Sequence, residues 1–160
     1  IFMSSSDFLD ARAAGTLLIS AYSGYGSEID PLPLIKELSA QGHKFCLPCE
    51  IEKGQPLKFR AYDLGDPVQI GEYGIPEPLG SAPIVSPDIM LIPMLGFDRT
   101  GNRLGRGGGF YDRTLNAARE QREVKAIGLA YSAQEVEAIP CGKYDGKLDA
   151  IVTEKEYIKI

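Results

Sequence analysis

An α/β architecture, three layers with a mostly parallel sheet in a single Rossmann-like domain spanning residues 1–160, is implied by three features of this sequence. Apolar runs of strand length recur at 17–22, 89–95, 126–131 and 148–153. Amphipathic segments alternate with them, and stretches rich in Gly and Pro separate the two. Runs that are apolar throughout, and not at every second position, suit strands covered on both faces.

The elements follow in order. Ser6 is suited to cap a short helix over 7–14 that ends at Gly15, and 17–22 is a buried strand. Pro31 opens a helix with Leu34, Ile35 and Leu38 on one face, closed by Gly42. Residues 45–47 and 57–62 suit strands. The stretch 65–87 suits loop, because Pro67, Pro76, Pro78, Pro83 and Pro87 interrupt it. The most hydrophobic strand, 89–95, should end near Pro93. A loop is expected over 96–109, an amphipathic helix over 110–123, a strand at 126–131, a short helix near 133–138 and a last strand at 148–153.

With 160 residues and 17.4 kDa the chain can bury a sizeable core as one domain. No run approaches the roughly 18 apolar residues of a membrane span, and no secretory leader opens the chain, so a cytoplasmic location is expected. A net charge of −5 argues against a broad nucleic-acid surface. Four arginines, Arg99, Arg103, Arg106 and Arg113, nonetheless fall within fifteen positions and suit a local anion pocket. A monomer with a small-molecule partner, and with no nucleic acid or membrane, is the expectation. Cys46 and Cys49 have C-x-x-C spacing but no second pair to complete a zinc site, so buried structural thiols are expected. His43, the one histidine, lies between a helix and a strand and is expected to be solvated. One histidine so placed speaks against a Ser-His-Asp or Cys-His mechanism.

Chemistry concentrates at 101–113, Gly-Asn-Arg-Leu-Gly-Arg-Gly-Gly-Gly-Phe-Tyr-Asp-Arg, between the strongest strand and a helix. Clustered glycines let the backbone approach a ligand, and the helix N-terminus adds a partial positive charge. Arg103 and Arg106 present the forked geometry that phosphate favours. Asp112 offers a hard oxygen to a phosphate-borne magnesium ion. The spacing is neither a P-loop nor a dinucleotide fingerprint, since no Gly-Lys-Ser/Thr follows and position 110 is Phe. A tight turn kept open for packing is the plain alternative.

The run 92–112 closely resembles the signature of the 5-formyltetrahydrofolate cyclo-ligase family. So do Ser27-Glu28-Ile29-Asp30, Phe45-Cys46-Leu47-Pro48, Leu57-Lys58-Phe59-Arg60, the loop 71–78, Ile127-Gly128-Leu129-Ala130-Tyr131, the stretch 145–149 and Ile151-Val152-Thr153-Glu154. The likeness covers about 17–154 in the right order. It implies an ATP- and Mg2+-dependent enzyme that cyclises 5-formyltetrahydrofolate to 5,10-methenyltetrahydrofolate with release of ADP and phosphate.

By that resemblance Arg103, Leu104, Gly105, Arg106, Gly107, Gly108, Gly109, Phe110 and Tyr111 form the ATP loop. Arg106, Gly107, Gly108, Gly109 and Phe110 also border the folate, and Arg106 is the catalytic residue. Glu28 and Tyr73 would bind the substrate, the first through pterin N–H donors and the second by stacking. Asp112 and Asp145 would hold the metal, with Asp149 able to exchange roles with Asp145. Plainer roles exist for three of these: a helix-terminal charge for Glu28, a loop anchor for Tyr73 and a turn former for Asp145. The family opens with a basic helix, whereas residues 1–16 hold only Arg12, so either that arm precedes Ile1, which is the expectation, or this protein has lost part of its nucleotide site. Two other readings stay open: a folate-binding relative without catalysis, and a sugar-phosphate or acyl-CoA enzyme on a similar scaffold.

Overall fold

The computed structural model describes residues 15–24 and 26–160; the helix expected over 7–14 lies outside them. The sheet has eight strands in the order β12-β11-β10-β7-β1-β2-β3-β6. Its middle is parallel: β11 (Ala150–Val152), β10 (Lys125–Leu129), β7 (Ile89–Pro93), β1 (Leu18–Ser20) and β2 (Lys44–Cys49). Antiparallel strands flank it, β12 (Tyr157–Lys159) on one side, β3 (Lys58–Tyr62) and β6 (Ile84–Val85) on the other.

Side chains alternate across this sheet, so each apolar run serves two cores. Ile89 and Leu91 join Ile19, Phe45 and Ile127 on one face, under Ile35 and Leu38 of helix α1 (Leu32–Ala40). Met90 and Ile92 join Cys46, Ala126 and Ile151 on the other, under Leu115 of helix α2 (Phe110–Arg119). Among the described residues, one helix on each face makes the expected three layers. No helix among the described residues is long and apolar enough to cross a membrane.

Several expectations need correction. The stretch 65–87 is not all loop. β4 (Val68–Ile70) and β5 (Pro76–Pro78) form a separate hairpin, and β6 joins the main sheet at its edge. Prolines are tolerated there because edge strands leave some N–H groups unpaired in any case. The loop after β7 contains a second hairpin, β8 (Gly96–Phe97) with β9 (Arg103–Leu104). Only a 3-10 turn, Ser132–Gln134, stands where a helix was expected at 133–138. The strand at 148–153 is followed by β12, so it is not the last. His43 is buried, not solvated, and its Nδ1 accepts a hydrogen bond from Leu17 N–H at 3.2 Å. A short polar link between a buried helix and a buried strand has to satisfy the backbone it covers. Cys46 and Cys49 are buried free thiols, as expected, and burial pushes both thiols up, which keeps them neutral.

Chain connectivity decides where a ligand can sit. From β1 the chain crosses to β2 on one side, while β7 lies on the other side of β1. The strand order therefore reverses between β1 and β7, and the loops leaving their carboxyl ends border a crevice. Leu115 anchors α2 on the sheet and is fully buried. Leu115→Ala should cost about 2–5 kcal/mol in urea unfolding, with the cost growing with the cavity left behind.

Candidate functional site

The loop after β7 is a built structure. Phe97 is fully buried and holds the β8–β9 hairpin in the core. Asp98, also buried, organises the hairpin's turn. Its carboxylate accepts Thr100 N–H and Oγ1–H at 2.9 and 2.8 Å, Asn102 N–H at 3.2 Å, Asn102 Nδ2–H at 3.0 Å and Ile139 N–H at 2.9 Å. Burial pushes this carboxyl up, but the hydrogen bonds from Ile139, Thr100 and Asn102 outweigh it and hold it well below the usual range. Arg99 faces away, ion-paired with Glu135 and Glu156. The Asp-Arg-Thr-Gly-Asn part of the motif is thus a support for the turn beyond it.

Beyond β9 the backbone makes the turn 105–109 into α2. Gly107 and Gly109 have φ of +87° and +64°, where a side chain is strained. No side chain caps α2, and the N–H groups of Gly108, Gly109 and Phe110 meet no acceptor among the described residues. Arg113 stiffens the turn from behind: Nη2 donates to Gly108 O at 2.7 Å, and its guanidinium sits 5.3 Å from the Phe110 ring centroid. Thr114 Oγ1 accepts Leu57 N–H at 2.8 Å and donates to Phe110 O at 2.6 Å, tying α2 to the chain entering β3.

Glu28, on the loop after β1, meets this turn. Arg106 Nε donates to Glu28 Oε1 at 2.9 Å; the Glu28 side chain is 8% exposed and Arg106 47%. The crevice also carries two tyrosines: Tyr111, which the resemblance places in the ATP loop, and Tyr22, which sequence reasoning missed as a site residue. Tyr22 O–H donates to Ile29 O at 2.8 Å and so shapes the segment bearing Glu28. Burial first, then neighbouring groups including Glu28, pushes the phenols of Tyr22 and Tyr111 well up, so both remain O–H donors. Tyr22 ends an apolar run and looked like core, which it also is. Tyr73 arrives from the β4–β5 hairpin and meets the Phe110 edge to face, 6.2 Å between centroids at 72°.

The two candidate metal ligands sit on neighbouring segments. Arg103, whose side chain is 6% exposed, donates from Nη2 to Asp112 Oδ1 at 2.6 Å and from Nη1 to Gly146 O. Gly146 N–H donates to the same Asp112 Oδ1 at 3.0 Å. Asp112 Oδ2 accepts no hydrogen bond from the described residues. Asp145 Oδ2 accepts Gly142 N–H at 2.7 Å, so this carboxylate also closes its own turn. Asp149 is committed elsewhere, to Arg119 and to Ala126 N–H. No group of three metal-ligating side chains occurs among the described residues. Asp112 and Asp145 could each offer an oxygen to a hard cation that brings its own phosphate and water ligands. The turn, Arg106, Glu28, Tyr73 and Phe110 together can hold a phosphate-bearing ligand beside a flat polar one.

A family model described as the 5-formyltetrahydrofolate cyclo-ligase family matches residues 10–154. A 5-formyltetrahydrofolate cyclo-ligase of Haemophilus influenzae is 36% identical over 132 residues, 79% of this chain and 70% of that protein. One from Escherichia coli K12 is 33% identical over 141 residues, 84% of this chain and 76% of that one. The solution structure of Aquifex aeolicus 5,10-methenyltetrahydrofolate synthetase superposes with a TM-score of 0.75 at 26% identity, covering 99% of this chain and 76% of that one.

Asp98 supplies a test of the support beneath the turn. Its depressed folded-state value means stability that is present above the unfolded carboxyl value, about 3.9, and lost as pH falls below it. Asp98→Asn puts an amide among donors and should cost about 1–3 kcal/mol at neutral pH. The acid limb of a stability-against-pH curve should flatten in the variant.

Proposed function

The chain belongs to the 5-formyltetrahydrofolate cyclo-ligase family, and from that premise we propose that its crevice holds ATP on the turn 103–111 and the folate against Glu28 and Tyr73. The activity is that of an ATP-dependent ligase, closing 5-formyltetrahydrofolate to 5,10-methenyltetrahydrofolate. In this reading it acts as a cytoplasmic monomer.

A formamide oxygen leaves poorly until phosphoryl transfer from ATP activates it. N10 of the folate then attacks the activated carbon, and phosphate departs. Such a reaction asks the protein for positioning and charge stabilisation, with little covalent work. Backbone N–H groups of 107–110 and the α2 terminus supply fixed donors for phosphate oxygens. Arg106 supplies the mobile cation, placed between the phosphates and the folate. Glu28 accepts pterin N–H donors once Arg106 turns toward phosphate, and Tyr73 with Phe110 covers the ring face. Magnesium, on Asp112 and Asp145, would offset the phosphate charge.

The observation that carries this reading is the Arg106–Glu28 contact, which joins the loops of β1 and β7 across the crevice. Its test is absorbance growth in the methenyl-folate band on mixing protein, 5-formyltetrahydrofolate, magnesium and ATP. Growth that requires ATP supports the assignment; no growth with the full-length coding sequence would remove it. Arg106→Ala should lower turnover about a hundredfold or more with circular dichroism unchanged. Near-normal turnover would take Arg106 out of the chemistry. Asp112→Asn should shift the magnesium dependence to higher concentration, and an unmoved curve would place the metal elsewhere.

A further inference from the structure

The β4–β5 hairpin is not paired with the main sheet. β4 is exposed along its length, with Ile70 70% exposed, so the hairpin is held through β5, which packs on β2 and β3. At the centre of β5 stands a buried carboxylate, Glu77, 7% exposed. Its Oε2 accepts Glu50 N–H at 3.0 Å, and its Oε1 accepts Gln69 Nε2–H at 2.9 Å. Gln69 is the cross-strand partner of Glu77 in β4. One side chain thus clamps both hairpin strands to the end of β2.

Two local features fit this clamp. Glu50 has φ of +47°, the one described non-glycine residue in the left-handed region. That conformation turns the chain where Glu77 takes its N–H, and Glu50 is secured again by Arg60 at 2.5 Å. Opposite, a Cβ at position 71 would lie 2.7 Å from Glu77 Oε2, so only glycine lets the carboxylate pass. Gly71 N–H then donates to Ile75 O at 2.9 Å and Gly74 N–H to Gly71 O at 3.0 Å, closing the turn that carries Tyr73.

We infer that Glu77 is a positioning residue for the folate half of the site: it fixes the hairpin so that Tyr73 stands over Phe110. This rests on the assignment of Tyr73 to the folate. Removing the carboxylate leaves Glu50 N–H and the Gln69 amide without their acceptor, and the hairpin loses its polar attachment to β2. Glutamine is a conservative replacement, since its carbonyl can accept Glu50 N–H while Gln69 turns its amide over. The turn assigned to ATP is braced from its own side by Arg113 and α2, and meets the hairpin where Tyr73 touches Phe110.

The chain has no tryptophan, so Tyr73→Trp installs a single indole at the hairpin tip. In that background Glu77→Leu should increase acrylamide quenching and lower fluorescence anisotropy, and Glu77→Gln should restore both. Unchanged fluorescence on Glu77→Leu overturns the clamp. In the parent chain Glu77→Leu should raise KM for 5-formyltetrahydrofolate about tenfold, the loss of roughly one buried hydrogen bond, with KM for ATP moving less than about twofold. Equal movement of both constants, or failure of the Gln variant to restore the first, overturns the positioning role. Should Glu77→Leu not fold, Gly71→Ala displaces the carboxylate without removing it and must give the same split. Tyr73→Ala separates the two assignments. If it leaves the folate KM unchanged, the stacking role fails, while the fluorescence series still decides whether Glu77 holds the hairpin.

Discussion

Glu28 and Arg106 are 78 residues apart in sequence, yet their contact organises the crevice. It exists because β1 and β7 are adjacent and parallel, so their following loops emerge at one edge of the sheet. The Glu28 carboxylate is almost wholly buried, and a charge so placed needs a partner. Arg106 answers that need while half exposed, which leaves it able to move. The pair fixes the relation of the two loops without locking the site shut.

The four clustered arginines show how similar residues divide between several structural partners. Arg99 is held by two carboxylates at the surface, where ion pairs contribute little, roughly 0–1 kcal/mol. Arg113 braces the turn by bonding Gly108 O and covering Phe110. Arg103 is nearly buried and welds the segment near Gly146 to the first turn of α2. Arg106 alone of the four reaches across to the β1 loop. Their spacing suggested an anion pocket, but their separate duties depend on which carbonyls and carboxylates the fold brings within reach.

Much of the sheet was legible because parallel strands buried on both faces must be apolar at successive positions. Ile89–Pro93 and Lys125–Leu129 stand out for that reason. The segments 68–70, 76–78 and 157–159 did not, since they are too short and too rich in proline and polar residues to show an apolar run. The resemblance to the 5-formyltetrahydrofolate cyclo-ligase family was legible for a different reason. The turn 105–109 tolerates few residues, because Gly107 and Gly109 hold conformations that side chains resist.

By itself the sequence determined the α/β class, the family and the turn 105–109, because these depend on local periodicity and on backbone conformations that only particular residues adopt. Tertiary structure alone decided that Glu28 faces Arg106, that His43 and Asp98 are buried supports, and that Tyr73 meets Phe110. It also decided that Glu77 lies beneath the hairpin, bonded to Glu50. These contacts join residues distant along the chain. Their partners follow from strand order and burial, which local sequence does not encode.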